Sequence, residues 1–291
     1  MKGTKQTMAV DDVWGADDVT SDKKMGDENF PVGSFLIAPT LRPAVHAYYH
    51  FARVADDMVD NISLSSEQKL RRLKALRAVF LGEEKAPKRA DAQTAVKLRQ
   101  VFLERQLPFD VASDLIEAFC LDAEKSRYQS WDELLYYCRY SANPVGRFLL
   151  TLHGEDEASF GPSDALCTAL QIVNHLQDVS KDLKTLDRCY VPLPWLADEG
   201  VSLHDLTASQ SSAGVKRVFE RMLVQVDGLN HYARTLPSLI RDRRMRLEAA
   251  VVVGLCRRLT ERLHRQDPLA ERVSLTKFDG VRALSAAMRY V

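Results

Sequence analysis

Residues 171–182, QIVNHLQDVSKD, carry amide and carboxylate side chains at helical spacing. Positions three and four apart share one flank of an α-helix. Four polar residues of this segment have that spacing: Gln171, Asn174, Asp178 and Asp182. Their neighbours include Leu170, Ile172 and Val173, and such an apolar setting predicts a buried helix. A buried helix needs a reason to carry carboxylates, because like charges held close together repel.

A second acidic set lies in residues 53–61, RVADDMVDN. Arg53, Asp56 and Asp60 occupy helix positions i, i+3 and i+7, and Asp57 lies about a quarter-turn away. A solvated helix face is the simplest interpretation of an isolated acidic pair. Here, however, apolar side chains surround most of the helix: Tyr48, Tyr49, Phe51, Val54, Ala55 and Met58. Buried carboxylates are costly without counter-ions, so these two acidic stripes predict bound cations.

The chemistry that suits the two acidic stripes is binding of hard divalent cations together with a phosphate group. Mg²⁺ takes oxygen ligands, keeps waters and usually bridges one or two carboxylates to a phosphate. Mn²⁺ is the alternative ion. Local positive charge is limited to Arg53 and Lys181. A di-iron centre would need Glu-x-x-His motifs on two facing helices, and no such pair is present. His175 points about 100° away from its stripe, so it is interpreted as a core or surface residue.

Helical periodicity extends over most of the chain after Asn29. Pro43 is predicted to lie in the first turn of the helix that carries the first stripe. The next helix is predicted to follow a Ser cap and to end at Gly82. Further helices are predicted at about 90–106, 109–125, 131–152, 164–185, 213–235, 238–265 and 276–290.

These elements predict an all-α fold, since Asn-Gly turns and sustained alternation are nearly absent. We expect one domain of roughly eight to ten helices over residues 29–291. The polar segment 1–28 is predicted to be poorly ordered.

The composition is that of an ordinary globular protein, with 291 residues of which 46% are hydrophobic and 27% charged. Lys plus Arg and Asp plus Glu both number 40, so no nucleic-acid partner is predicted. Five cysteines without a CxxC pair predict reduced thiols in the cytoplasm rather than zinc or disulfides. No segment resembles a signal peptide or a membrane span. Membrane contact would therefore be peripheral, at the inner membrane.

The two acidic stripes resemble motifs of the squalene/phytoene synthase family of all-α isoprenoid synthases. The matching patterns are Arg53-x-x-Asp56-x-x-x-Asp60 and Gln171-x-x-Asn174-x-x-x-Asp178-x-x-x-Asp182. VGSFLIAP resembles the family's N-terminal Ser-Phe segment, and YYCRYSANPVG resembles its Tyr-Cys-x-Tyr…Val-Gly helix. The resemblance covers about 29–272 and implies a helical isoprenoid synthase fold with a central cavity.

The resemblance also implies a set of site residues. The metal ligands that it implies are Asp56, Asp60, Asn174, Asp178 and Asp182. The catalytic residues that it implies are Asp56, Asp60, Asp178, Asp182 and the cavity tyrosine, Tyr137. The substrate-binding residues that it implies are Ser34, Phe35, Tyr49, Arg53, Asn143, Gln171 and Arg272. Arg272 matches a diphosphate-binding arginine in AERVSL, whereas a C-terminal cavity tyrosine of the family has no counterpart near Cys256.

Within the family, the sequence is most similar to the bacterial branch that forms hydroxysqualene in hopanoid biosynthesis. NFPVGSFLIAPTLRPAVHAYY, YCRYSANPVGR and NHLQDVSKDLKTLDRCYVPLPWL carry this similarity. Relatives that condense two farnesyl diphosphates usually have Gly where Asn143-Pro144 stands, Arg at Gln177 and Glu at Lys181. These differences weaken the two-substrate interpretation, since they remove a cation from one diphosphate site and add polar groups to the cavity.

The implied reaction is Mg²⁺-dependent loss of diphosphate from presqualene diphosphate, cation rearrangement and capture by water. No NADPH is expected, because water capture needs no hydride and no GxGxxG motif is present. Tyr137, Asn143 and Gln171 are the candidates for holding the water. A helix kink beside Pro144 is an equal alternative for Asn143. The implied partners are presqualene or farnesyl diphosphate and neighbouring isoprenoid-pathway enzymes.

Two other functions stay open on the sequence. One is head-to-head condensation of two prenyl diphosphates to squalene, phytoene or dehydrosqualene. Products formed from farnesyl diphosphate alone would separate it from water capture. The other is a non-catalytic helical binding protein, against which the intact acidic stripes argue.

Overall fold

The computed structural model describes residues 13–15, 18–19 and 36–290. Ser34, Phe35 and most of the segment predicted to be poorly ordered lie outside these ranges. Two described pieces of that segment pack against the body, since Trp14 and Val19 are buried. The Val19 N–H donates to Asp91 over 3.2 Å.

The first four helices form the N-terminal half of the described domain. They are α1 (Arg42–Asp60), α2 (Ser66–Leu81), α3 (Ala90–Arg105) and α4 (Asp110–Glu124). Pro43 lies in the first turn of α1, as predicted. Ser65 and Gln68 form a capping box at the start of α2, and Gly82 ends that helix with φ 76°. A left-handed φ at this position favours glycine, which has no Cβ.

The second half contains eight helices and two short strands among the described residues. The helices are α5 (Trp131–Ser141), α6 (Asn143–Leu152), α7 (Phe160–Thr185), α8 (Leu193–Asp198), α9 (Ala213–Ala233), α10 (Leu236–Leu239), α11 (Arg243–Leu263) and α12 (Lys277–Ala287). Three 3₁₀ turns lie at Glu157–Ser159, Leu203–Thr207 and Met288–Tyr290. β1 (Arg127–Tyr128) pairs in parallel with β2 (Cys189–Pro192).

The helix predicted at 131–152 is divided into α5 and α6. Ala142 separates them with φ −116° and ψ −46°, and Pro144 lies in the first turn of α6. Proline has no N–H to continue the ladder of α5, and its ring clashes with the preceding turn. The helix predicted at 238–265 likewise begins only at Arg243, where Asp242 accepts a hydrogen bond from the Met245 N–H.

Two hydrophobic clusters make up the core. The first joins α1, α2, α3 and α4 to Phe148 and Leu152 of α6. The second is centred on α7, which packs against α5, α6, α9 and α11. A cavity lies between α1 and α7. The all-α prediction is confirmed.

The five cysteines form no disulfide, and all are buried or half-buried. None of the described helices combines the length and the apolar character that crossing a bilayer requires.

Candidate active site

Both acidic stripes line a single cavity of about 740 Å³. α1 contributes Arg53, Asp56 and Asp60. α7 contributes seven polar residues to the same lining: Gln171, Asn174, His175, Asp178, Lys181, Asp182 and Thr185. The two stripes therefore share one cavity, although α1 and α7 belong to different core clusters.

The stripe on α1 is held by two arginines. Arg53 forms ion pairs with Asp56 and Asp57, each at 2.5 Å. Buried Arg188, which follows α7, donates to Asp60 over 2.7 Å. Burial would lower the pKa of Arg188, but the carboxylates of Asp122 and Asp60 raise it. The guanidinium is therefore charged, and it fixes the position of Asp60.

The stripe on α7 carries negative charge that the nearby cations Lys181 and Arg188 offset only in part. Burial, and then the neighbouring charge of Asp178, raises the pKa of Asp182 to about 7. Lys181 opposes this rise but is itself exposed. The charged form of Asp182 is therefore unfavourable in this setting. A cation bound beside the carboxylate would stabilise that charged form.

The donor set fits Mg²⁺ that is shared with a phosphate group. In the described ranges, no three or more His, Cys, Asp or Glu side chains are arranged to hold a metal ion by themselves. A closed zinc-type site, which needs four protein ligands, is therefore excluded for these residues. Mg²⁺ differs, because it keeps several waters and completes its shell with substrate phosphates and one or two carboxylates.

A polar network lies beside the charged part of the cavity. The hydroxyl groups of Tyr137 and Tyr190 donate to Asp122 over 2.7 Å and 3.0 Å. Burial raises the pKa of Asp122 to about 6, against the opposing effects of Arg188 and the two hydroxyl groups. Burial also raises the pKa of Tyr137 well above its ordinary value. Tyr137 is therefore a neutral hydroxyl group whose proton points to Asp122 and whose oxygen can accept another hydrogen bond.

His175 is part of the cavity wall rather than a ligand pointing at the stripe. Its ring stacks on Tyr190 with a centroid distance of 3.5 Å and an interplanar angle of 14°. Burial, and then the charge of Arg188, lowers the pKa of His175 to about 3. The neutral imidazole agrees with the interpretation of His175 as a core or surface residue.

An apolar chamber of about 290 Å³ adjoins the charged cavity. Tyr49, Ala52 and Val145 line both spaces, so the two are contiguous. The remaining walls of the chamber come from α1, α6, α7 and α11 and are mostly aliphatic or aromatic. The path from the acidic stripes into the chamber therefore runs from charged to hydrocarbon surface.

The structure places some predicted site residues in the cavity and others outside it. Tyr49, Arg53, Tyr137 and Gln171 line the cavity. Asn143 is buried and accepts a hydrogen bond from the Thr168 hydroxyl over 3.0 Å, and it does not line the cavity. This contact supports the interpretation of Asn143 as part of the helix junction, and its binding role stays a prediction.

The C-terminal segment contacts α7 through Val273, the residue that follows Arg272. Arg272 is exposed and does not line the cavity, so its contact with diphosphate also stays a prediction. The Gln177 amide donates to the carbonyl of the next residue, Val273, over 2.5 Å. Gln177 therefore anchors this segment on α7 instead of facing the cavity.

Sequence reasoning missed several cavity residues, among them Asp122, Arg188 and Tyr190. Each stands outside the two acidic stripes and reaches the site through contacts with residues far away in the chain. One signal was available for Arg188, which is a cation directly before the apolar run CYVPLPWL.

Comparison with known proteins agrees with this geometry. The chain matches the squalene/phytoene synthase family over residues 23–279. It is 42% identical to a hydroxysqualene synthase from Rhodopseudomonas palustris over 94% of this chain and 92% of that protein. It is 39% identical to a hydroxysqualene synthase from Zymomonas mobilis over 93% of this chain and 91% of that protein.

A solved structure leads to the same assignment. A squalene synthase from Alicyclobacillus acidocaldarius is 33% identical, with a TM-score of 0.70 over 81% of this chain and 87% of that chain. Sequence, fold and cavity agree, and the chain belongs to the squalene/phytoene synthase family.

Proposed function

We propose that this protein is a hydroxysqualene synthase, which converts presqualene diphosphate and water to hydroxysqualene and diphosphate in squalene and hopanoid biosynthesis. The observation that carries the proposal is that the charged cavity and the apolar chamber adjoin each other and share the lining residues Tyr49, Ala52 and Val145. This combination suits an amphiphile with a diphosphate head and a long hydrocarbon tail. The choice of product follows the names of the relatives that are about 40% identical.

The residues that would hold Mg²⁺ are those of the two acidic stripes: Asp56, Asp60, Asn174, Asp178 and Asp182. Mg²⁺, or Mn²⁺ in its place, would neutralise the charge that develops on the leaving diphosphate. Arg53 and Arg188 keep Asp56 and Asp60 in position and add positive charge at the same wall of the cavity.

The other walls of the cavity protect the cation that forms when diphosphate leaves. Tyr49, Phe119 and Tyr190 line the cavity beside Tyr137 and expose aromatic surface to it. Aromatic ring faces stabilise a nearby cation electrostatically. Once the substrate fills the cavity, these walls would limit the access of bulk water to the cation, so that a water molecule held inside is the one that reaches it.

Polar groups in the lining are available to hold that water. Gln171 and Ser141 line the cavity, and the buried Ser141 hydroxyl has no hydrogen-bond partner among the described residues. When the new C–O bond forms, the captured water must lose one proton. Asp122 is placed to accept this proton through the Tyr137 hydroxyl, which donates to it. No step of this sequence uses a hydride, so NADPH is not required.

We propose a cytoplasmic protein in peripheral contact with the inner membrane, since both the proposed substrate and the proposed product are lipids. The enzymes that supply presqualene diphosphate and consume hydroxysqualene are the expected neighbours in the pathway. Head-to-head condensation remains the alternative activity, since the solved relative that is 33% identical is named a squalene synthase.

The test is incubation of the purified protein with presqualene diphosphate and Mg²⁺ in ¹⁸O-labelled water, without NADPH. We expect an alcohol that carries the label, and we expect NADPH to leave the product ratio unchanged. Asp178→Asn should lower turnover about a hundredfold or more, because it removes a carboxylate that would hold the cation that neutralises the leaving diphosphate.

Three results would contradict the proposal. Squalene formed as the sole product, and only with NADPH, would identify a squalene synthase. Efficient conversion of farnesyl diphosphate alone would favour condensation. Full activity after treatment with EDTA would remove the assigned role of the acidic stripes.

A further inference from the structure

The C-terminal helix α12 presents apolar side chains to solvent. Phe278 is 81% exposed, Val281 67% and Met288 57%, and Leu284 is also exposed. These four residues, which we call the α12 face, are three side chains of α12 and Met288 of the 3₁₀ turn that directly follows it. They lie on one side because they are spaced three or four apart. Single exposed apolar residues are normal, whereas a contiguous exposed group marks an interaction surface.

The opposite side of α12 is fixed to the body of the protein. Asp279, Ala283 and Ala287 are buried. Asp279 accepts hydrogen bonds from Arg258 over 3.2 Å and from Arg262 over 2.6 Å, both on α11. These contacts set the rotation of the helix about its axis, so the α12 face points away from the core.

The exposed charges within the segment that carries the α12 face have one sign. The segment 277–289, KFDGVRALSAAMR, contains three exposed basic residues, Lys277, Arg282 and Arg289. Its one acidic residue, Asp279, lies on the buried side in ion pairs with α11. An apolar face bordered by basic side chains is complementary to an anionic lipid surface, where apolar groups enter the interface and basic groups contact head groups.

The position of α12 suits a lipid substrate. Met245, Ala249 and Val252 of α11 line the apolar chamber. On the outer side of α11, an added Cβ at Gly254 would lie 3.5 Å from the Ala283 Cβ of α12. The α12 face is therefore one helix away from the space that holds hydrocarbon under the proposed function.

We propose that α12 docks the protein on the surface of an anionic bilayer through Phe278, Val281, Leu284 and Met288. A second copy of the chain suits this face less well, because four side chains supply well under the roughly 800 Å² per partner of a stable interface. Lipid binding does not depend on the proposed function; only its purpose, which is to exchange lipid substrate and product, rests on it.

The test is co-sedimentation of the full chain with vesicles of phosphatidylcholine alone and of phosphatidylcholine mixed with phosphatidylglycerol. We expect binding to the mixed vesicles that weakens as salt is added. The double variant Phe278→Ser/Val281→Ser should bind roughly tenfold more weakly, since two apolar side chains no longer enter the interface. Lys277→Ser/Arg282→Ser should lose most of the preference for phosphatidylglycerol.

The matched control is Leu103→Ser/Val224→Ser, which removes two apolar side chains that are 56% and 54% exposed on α3 and α9. The control should bind vesicles as the unchanged protein does. Circular dichroism and turnover of detergent-dispersed presqualene diphosphate should be the same for all variants. A protein that binds vesicles without making hydroxysqualene would refute the proposed function and leave the docking surface intact.

Two outcomes would overturn the docking proposal. One is equal vesicle binding by the unchanged protein and the α12-face variants. The other is absence of vesicle binding together with a dimer in solution that Phe278→Ser/Val281→Ser dissociates. The second result would assign the face to another copy of the chain.

Discussion

At the scale of single residues, Asp122 makes the stability of the folded protein depend on pH. It accepts hydrogen bonds from Tyr137 and Tyr190, and burial raises its pKa from an ordinary value of 3.8 to about 6. Arg188 acts in the opposite direction, and Asp60 adds to the rise. Because the pKa of the folded state is the higher one, folding favours the protonated carboxyl group. This contribution to stability is complete below about pH 4 and is lost as pH rises through about 6.

We therefore predict that Asp122→Asn, which resembles the protonated group, becomes more stable relative to the unchanged protein as pH rises from about 4 to 7. The free energy of unfolding of the variant should rise by about 3 kcal/mol relative to that of the unchanged protein. This value corresponds to the rise of the Asp122 pKa from 3.8 to about 6. Urea unfolding at a series of pH values measures it. Glu84→Gln is the control, since it neutralises an exposed carboxylate in the turn after α2. A stability difference that is the same at every pH would show that Asp122 does not titrate in this range.

The site residues that could be predicted from the sequence are those that lie on the same helix. Asp56 and Asp60 lie on one helix, as do Asn174 and Asp178, so their common flank follows from helical geometry alone. Arg188 could not be predicted in this way, because it contacts Asp60 across 128 residues of chain. Only the tertiary fold determines which cation reaches which carboxylate.

At the scale of elements, Gly146 allows α6 and α7 to approach closely beside the apolar chamber. A Cβ at this position would lie 2.4 Å from the Ser163 Oγ and 2.6 Å from the Cys167 Sγ, both on α7. Contacts this short require α7 or its side chains to move. The glycine therefore determines the spacing of two walls of the chamber.

Gly146→Ala should destabilise the protein by roughly 1–3 kcal/mol, because overpacking outweighs the gain in helix propensity. Gly228→Ala on α9 is the matched control, since a Cβ there meets nothing within 4 Å. That variant should be neutral or slightly stabilising. Thermal and urea unfolding measure both effects. Adding Ser163→Ala should recover part of the loss in Gly146→Ala; no recovery would mean that contact with Ser163 is not the cause.

Element boundaries were predicted well where the signal is a cap and less well where it is a break inside a periodic segment. Ser65 and Gly82 bound α2 as expected. The division at Ala142 was not predicted, because apolar periodicity continues across it and Pro144 fits both a kink and a new first turn. β1 and β2 have two and four residues, which is too short for alternation to be recognised.

At the scale of the whole molecule, the two acidic stripes belong to the two different core clusters. Asp56 and Asp60 are carried by α1 of the first cluster, and Asp178 and Asp182 by α7 of the second. Ions and diphosphate bound between the stripes would connect the clusters. Ligand binding should therefore stabilise the whole domain and not only one helix.

We predict that Mg²⁺ and inorganic diphosphate together raise the free energy of unfolding by about 3 kcal/mol at a concentration a hundredfold above the dissociation constant. Either one alone should have a smaller effect, because each completes the coordination of the other. Differential scanning fluorimetry measures the shift, and Asp178→Asn should reduce it. An equal shift with Asp178→Asn would place the binding elsewhere.

The contiguity of the charged cavity and the apolar chamber also makes entry directional. A molecule with one anionic end and one hydrocarbon end fits in a single orientation, with its head group at the acidic stripes and its tail in the chamber. Anionic surfactants have the same polarity profile and would compete for the same space, whereas surfactants with uncharged heads lack the group that the acidic stripes and their cations retain. The detergent used to disperse the substrate is consequently a variable of any activity measurement on this protein.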